Sequence, residues 1–348
     1  MRLDGRVAIS AAASWIPDDF EPLPSTSDGP VLPNPTLPYV RVKSLPVSSA
    51  LAAPEMAVRA ARDCLAQAGY EASRLAAVFH THLYHQGHDV WNAAFYIADQ
   101  LGTSPAAMPL VVQQGCNAGL AAVELAAASL LADPEAEAIL VTSADRFIPP
   151  GWRRWMPGRP WGYGDGATAM LLERGRSGSQ GLELLSVAHA SVPACERVFR
   201  GEADFTPAPM WNKTAVDCNE DVDHFNRTGD PETLLLMRQA SRVCLARALA
   251  DAGLDPADRR IRYVLLPRFD QLDLEVTYAG VFDHLPHAEI LVFGEHTGHL
   301  GPGDFCADVV ELRDRGLLGP GEIAIHASAG GGNAYSIAVV RATSGWGE

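Results

Sequence analysis

Apolar residues recur along this chain with two alternating periods, and the alternation sets the expected elements. Residues 6–14 form a short apolar run that reads as a first strand. Residues 54–69 carry Met56, Val58, Ala61, Cys64, Leu65 and Ala68 at helical spacing and stop at Gly69, a residue suited to a left-handed C-cap. A strand is expected over 75–83 and a helix over 91–101, closed by Gly102. The apolar run 108–112 leads into Gly115-Cys116-Asn117-Ala118-Gly119, and the Ala/Leu-rich segment 120–131 then predicts a buried helix without a breaker. Strands follow at 137–143 and 166–173.

A polar link at 174–181, punctuated by Gly175, Gly178 and Gly181, separates this stretch from a second one, where the pattern restarts. Residues 182–191 read as a strand. Residues 231–253 predict a long helix, with Pro231 in its first turn and Gly253 past its end. Strands are expected at 261–266 and 289–293, a helix at 304–315, and two closing strands at 322–328 and 333–342 around Gly330-Gly331-Gly332. Strands alternating with helices imply an α/β fold with mixed sheets. The two stretches have similar length and order, which implies a duplication with halves 1–177 and 178–348. Residues 17–38, 80–89 and 190–230 read as segments that line or cover a pocket.

Composition narrows the class. With 348 residues, 47% hydrophobic and 20% charged, the chain has the make-up of a globular enzyme. A formal net charge of −15 argues against nucleic acid or an anionic membrane as the general partner, while a local basic patch could still hold phosphate. The cysteines at 64, 116, 195, 218, 244 and 306 form no C-x-x-C pair and read as reduced thiols, so a cytoplasmic location is expected. Residues 1–13 lack the continuous apolar core of a secretory signal, and no membrane span is expected.

Four stretches could carry chemistry. Cys116 lies at a strand-to-helix elbow, where backbone N–H groups and the positive end of a helix dipole favour thiolate. Asp145 to Ala167 interleaves arginine with indole at Trp152-Arg153-Arg154-Trp155, Arg159 and Trp161, which suits a phosphate carried on a nucleotide cofactor or a phosphopantetheine arm. In Phe293 to Asp304, a carboxylate could fix the tautomer of an imidazole and leave its other nitrogen as a base. Spacing leaves His296 and His299 both open, and Asp304 could equally be a helix N-cap. Gly330-Gly331-Gly332 could offer backbone donors to a ligand or simply turn a hairpin. The histidines at 80, 82, 85 and 88 are dense, but their spacing fits no familiar zinc pattern, so no metal is expected.

Taken in order, Gln114 to Gly119, Gly164-Asp165-Gly166-Ala167 and Gly330-Gly331-Gly332 resemble the thiolase superfamily, and most of all its ketoacyl-ACP synthase III (KAS III) branch. The resemblance covers essentially the whole chain. It implies a duplicated, five-layered α/β/α/β/α fold, a homodimer, Cys116 as an acyl-accepting nucleophile, and an oxyanion hole from the N–H groups of Cys116 and Gly331. The departures change the expected chemistry. Ketosynthases of the branch use Cys-His-Asn, whereas Arg268 stands in the place of their histidine and His299 in that of their asparagine. Cys116, His299 and Asp304 look like the KAS III-like acyltransferases of natural-product pathways, such as polyketide and antibiotic biosynthesis. These move an acyl group from an acyl carrier protein or coenzyme A to a hydroxyl, amine or carrier thiol, without condensation. A small hydroxylated acceptor, a glycoside for example, is expected as partner, with no permanently bound cofactor beyond the CoA or phosphopantetheine arm of the donor. Trp152, Arg153, Arg154 and Arg268 are the candidate substrate or carrier contacts; Arg268 could alternatively pair with Asp270 or a neighbouring carboxylate. The competing expectations are a starter-unit ketosynthase and a non-catalytic thiolase-fold subunit.

Overall fold

The computed structural model describes residues 1–29, 37–175, 181–200, 204–208, 211, 231–331 and 333–347. The first half runs β1 (Arg2–Trp15), β2 (Phe20–Pro22), β3 (Ser44–Pro46), α1 (Ala53–Ala68), β4 (Ala77–Thr81), α2 (Ala93–Leu101), β5 (Met108–Val112), α3 (Ala118–Ala132), β6 (Ala138–Asp145) and β7 (Gly166–Arg174). The second runs β8 (Leu182–Ser191), α4 (Arg197–Arg200), α5 (Pro231–Ala252), β9 (Ile261–Leu266), α6 (Gln271–Tyr278), β10 (Glu289–Val292), α7 (Asp304–Asp314), β11 (Ile323–Gly330) and β12 (Ala334–Ala342). The 174–181 link, the 17–38 and 190–230 loops, the triple glycine at Gly332 and Cys218 fall partly or wholly outside the described residues.

Ten strands form one mixed sheet in the order β10-β9-β11-β12-β8-β1-β7-β6-β4-β5. Outward from its centre, each side repeats the same sequence of pairings. β1 and β8 lie antiparallel to β7 and β12, which lie antiparallel to β6 and β11. Then β4 and β9 run parallel to those, and β5 and β10 close the edges in parallel. The central parallel strands are buried along their whole length, as β4 (AVFHT) and β6 (AILVTSAD) show, because helices cover both faces.

Three apolar clusters correspond to three helical layers. Met56, Ala57 and Ala61 of α1 pack on Val78, Leu140 and Leu171. Cys244, Leu245 and Leu249 of α5, with Leu274 and Tyr278 of α6, pack on Val264, Ile325 and Ile337. Between them, Leu120, Val123 and Leu130 of α3 and Phe305, Val309 and Leu312 of α7 join Phe79 and Val141 of one half to Leu265 and Ala324 of the other. The result is the five-layered α/β/α/β/α arrangement of the thiolase fold. The stretch Gly115–Ala132 has a mean hydropathy of 1.4 and, by length and composition, could cross a membrane. Asn117, Glu124 and Ser129 interrupt it, so no uninterrupted apolar window of about 18 residues occurs. Its apolarity has a structural reason, because Leu120, Val123, Ala127 and Leu130 of α3 are buried in the cluster that joins the two halves, while Leu125, Ala128 and Ala132 form its exposed side.

Pattern and structure differ elsewhere for identifiable reasons. β1 is longer than expected because it pairs on both sides, with β7 and β8. α6 gives little periodic signal in QLDLEVTY. It is held by burial of Leu274 and Tyr278 and by the Asp270 side chain, which accepts the Leu272 N–H at 2.9 Å. The three-residue strands β2 and β3 form a separate pair too short to leave a pattern.

Two glycine contacts seat the Cys116 elbow against the second half. Gly115 has φ +56°, and a Cβ there would lie 2.6 Å from the Gly331 nitrogen. A Cβ on Gly330 would lie 2.3 Å from the Asn117 nitrogen and 2.7 Å from that of Cys116. Backbone thus meets backbone where the end of β11 touches the elbow before α3. Gly330→Ala is expected to destabilise the fold by about 1–3 kcal/mol through this forced separation, a loss readable as a lower urea midpoint at unchanged slope.

Candidate active site

Cys116 occupies a single 3-10 turn, Gly115–Asn117, between β5 and α3. Its neighbour Asn117 is buried and donates from Nδ2 to Gln114 Oε1 at 2.7 Å and to Ser336 Oγ at 2.8 Å, which ties the elbow to β12. The half-buried sulfur therefore sits at the N-terminal end of a buried helix, where partial positive charge collects. The same contacts set the Gly331 nitrogen against Gly115 and the Cys116 nitrogen against Gly330.

His299 approaches from the second half. Its backbone is pinned on both sides: its N–H donates to Gly162 at 3.0 Å, and its carbonyl accepts from Gly164 at 3.1 Å. Nδ1 meets Asp304 Oδ2 at 2.7 Å, and Asp304 Oδ1 accepts the Leu300 N–H at 2.9 Å. Gly303 takes the N-cap position of α7, so Asp304 is the imidazole partner and not the cap. Trp161, Tyr163 and Phe269 surround the ring at centroid separations of 6.0, 5.4 and 5.0 Å. Nε2 is buried, and Cys116 interacts with the ring in addition to Asp304. His296, the other candidate, is exposed and lies 4.0 Å from Glu295.

Burial by itself would strip the proton from His299. The negative charge of Asp304, with Cys116 nearby, outweighs it and lifts the imidazole to about 10. For Asp304, burial pushes upward, but His299 and then Arg268 reverse this and hold the carboxyl below its usual value. Asp145, at the end of β6, accepts N–H groups from Leu83 and Tyr84 at 2.7–3.0 Å and acts on His299 electrostatically. Burial pushes its carboxyl up to about 8.

Cys116 and His299 share a cavity of about 100 Å³ with Trp161, Met237, Phe269 and Val276. Its walls are mainly apolar, as in most small-molecule pockets.

The arginine-rich candidates are distributed differently from the expectation. Arg154 is buried and gives Nη1 and Nη2 to Asp165 at 2.8 and 3.2 Å, and Asp165 also accepts the N–H groups of Ser48 and Phe147. Removing one partner from such a buried pair costs about 3–5 kcal/mol, so Arg154 is a structural clamp. Trp152 is buried among Phe147, Tyr84 and Tyr163. Arg153 is exposed, at a groove of about 450 Å³ whose rim includes Thr26, Ser27 and Trp155. Arg268 is 3% exposed and does not line the cavity. It pairs with Asp308, whereas Asp270 lies 3.3 Å from Arg159. A substrate carboxylate has no access to that guanidinium.

Sequence reasoning missed Asp308, Asp145 and the aromatic enclosure. Asp308 follows Asp304 by four residues and so shares its helix face, a signal that was readable. Asp145 and the enclosure come from distant segments and left none. The histidine-rich stretch forms no metal cluster among the described residues. His80 bonds Thr142 and Gln86, and His82 bonds the Tyr84 carbonyl and Gln113.

No family model and no curated protein matches the sequence. Solved structures do. The acyltransferase ChlB3 superposes with a TM-score of 0.83 at 26% identity, covering 98% of this chain and 99% of that one. The 3-oxoacyl-(acyl carrier protein) synthase III FabH of Pseudomonas aeruginosa gives 0.74 at 17%, covering 97% and 98%. OleA of Xanthomonas campestris, solved with lauric acid and lauroyl-CoA, gives 0.71 at 14%, covering 97% and 99%. With its repeated half-sheets and a cysteine at the elbow, the chain is a thiolase-fold protein. The acyltransferase ChlB3 and the synthase FabH share that fold over nearly their whole length.

The His299 shift carries a stability consequence. A folded value near 10 against an unfolded value of 6.5 means the folded state holds a proton that the unfolded state has released between those limits. The stabilisation is full below 6.5 and is lost as pH rises through about 10. Urea unfolding across this window should show the decline in the wild type and a flatter profile in His299→Gln.

Proposed function

We propose that the protein is an acyltransferase that carries an acyl group on Cys116 from a carrier-protein or coenzyme A thioester to a hydroxyl acceptor, without condensation. The observation that carries this reading is the buried His299–Asp304 pair at 2.7 Å in the same cavity as Cys116. The likeness to the acyltransferase ChlB3 over nearly the full length supports it.

The cycle begins with a Cys116 thiolate beside a His299 imidazolium. The sulfur attacks the thioester carbonyl, and the oxyanion is held by the Cys116 and Gly331 N–H groups. One such donor is commonly worth about 3 kcal/mol. The tetrahedral adduct collapses, the carrier sulfur leaves, and His299 gives it the proton. Neutral His299 then accepts the proton of the incoming hydroxyl as its oxygen attacks the acyl-enzyme. The ester departs, and the thiolate–imidazolium pair is restored. Asp304 holds the tautomer throughout. Arg268 argues against the starter-unit ketosynthase reading. Decarboxylative condensation needs two neutral donors at the thioester enolate, and a guanidinium engaged by Asp308 is neither neutral nor presented to the cavity.

The donor arm is phosphopantetheine, free as CoA or attached to a carrier protein, and exposed Arg153 beside its groove is the described residue best suited to a phosphate. Secondary metabolism is the setting that best suits transfer without condensation. The test is intact-mass spectrometry with a panel of acyl-CoA and acyl-carrier donors. Wild-type protein should gain one acyl mass and Cys116→Ala none. His299→Ala should still accumulate acyl-enzyme, more slowly, while transfer to a hydroxyl acceptor falls about 10²–10⁴-fold. Full transfer by His299→Ala, or carbon dioxide release with a malonyl-carrier acceptor, would overturn the reading. Failure of wild-type Cys116 to take any acyl group would favour a non-catalytic subunit.

The protein also acts as a homodimer in this proposal. β5 closes one edge of the sheet, and beside it Met108 and Phe95 expose 50% and 58% of their surface. An open apolar edge is a ready surface for a second copy. Light scattering should give twice the chain mass for the wild type and a shift toward monomer for Phe95→Asp; a monomeric wild type rejects the dimer.

A further inference from the structure

We propose that Arg268 is a positioning residue for the catalytic imidazole, acting on His299 through Asp304 and anchored by Asp308. Its mechanistic meaning rests on the acyl-transfer reading above, but its geometry does not.

Arg268 follows β9 and reaches the site on three sides. Its backbone N–H donates to Asp304 Oδ2 at 2.9 Å, the same oxygen that meets His299 Nδ1. Its carbonyl accepts the Trp161 indole N–H at 2.7 Å, and that indole lies 24° from parallel to the His299 ring. Its side chain gives Nε and Nη2 to Asp308 Oδ1 at 3.1 and 2.9 Å. Nη1 donates to Thr297 Oγ1 at 2.6 Å, two residues before His299. Gly294, at φ +113°, makes room, because a Cβ there would come within 3.2 Å of three carbons of the arginine side chain. One residue therefore touches the carboxylate, the stacking indole and the turn that carries the imidazole.

The charge has its own effect. Arg268 Nε lies 4.0 Å from Asp304 Oδ1, so guanidinium and imidazolium share one carboxylate. Burial works against the arginine's charge, but Asp308 and Asp304 outweigh it and raise its pKa. In the proposed cycle His299 must release its proton as well as hold it. A buried carboxylate serving the imidazole alone would hold that proton too firmly, and the competing cation weakens the hold. The other charged or titratable groups facing the pair are Cys116 on the elbow, Asp145 on β6, Tyr163 before β7, and Asp308 and Glu311 on α7.

The experiment is the pH profile of Cys116 alkylation by iodoacetamide, which needs no acyl substrate, followed by the pH profile of acyl transfer. In Arg268→Met the upper inflection, where His299 loses its proton, should move up by about one unit, a tenfold change in proton affinity. The kcat for transfer should fall about tenfold or more with donor KM little changed. Arg268→Lys keeps the charge and loses the fork, so its inflection should stay near wild type while kcat falls. If Arg268→Met does not fold, by circular dichroism and thermal midpoint, Asp308→Asn and Arg268→Lys decide. Wild-type kcat in both overturns the proposal. So does a folded Arg268→Met with wild-type inflection and kcat, or one that raises donor KM alone, which would make Arg268 a substrate contact. A shifted alkylation inflection in a protein that transfers no acyl group would leave the positioning role standing and reject the acyl-transfer reading.

Discussion

A carboxylate as deeply buried as Asp304 has to be matched by donors, and the way this one is matched organises the site. One oxygen meets the His299 imidazole and the Arg268 backbone N–H, and the other meets the Leu300 N–H, with the Arg268 guanidinium 4.0 Å away. The partners belong to two segments: His299 and Leu300 lie in the turn after β10, and Arg268 lies in the segment after β9. Neutralising one buried charge therefore holds these two segments and the first turn of α7 in register. The aromatic rings around His299 exclude water, which strengthens every interaction inside. The imidazole can then remain charged well above its ordinary range despite complete burial.

That assembly is useful only because the cysteine of the other half is delivered to it. Delivery depends on close backbone approach at Gly115, Gly330 and Gly331, and on Gly119, where a Cβ would lie 2.1 Å from the Pro302 carbonyl. The turn beneath His299 thus rests directly on the first turn of the cysteine's helix. Side chains at these positions would separate the nucleophile from its base. The glycines are a spacing device between two half-sheets, each of which folds around its own outer cluster and shares the middle one.

The buried arginines follow the same logic. Arg154 and Arg268 read in sequence as cations available to an anion. Each is instead paired with a buried aspartate, Asp165 and Asp308; Arg154 also holds the Pro46 carbonyl, and Arg268 the Thr297 hydroxyl. The exposed cation at the groove is Arg153, between two buried neighbours.

The sequence by itself determined the order of the long strands and helices, because their periods follow from which faces must be buried, while β2, β3 and α6 left no such signal. It also determined the cysteine elbow, since a strand, a glycine-flanked cysteine and an apolar helix without a breaker leave little freedom. The resemblance of those motifs identified the fold. Local spacing brought His299 and Asp304 within five residues but could not choose between His296 and His299, because both lie in the same loop. The tertiary structure decided that. Bridging to Gly162 and Gly164 turns His299 inward and leaves His296 in solvent. It also decided the fate of the arginines and the role of Asp145, because a charge is a ligand, a clamp or a surface group according to what faces it. Those partners come from segments tens to hundreds of residues away, and no local pattern encodes them.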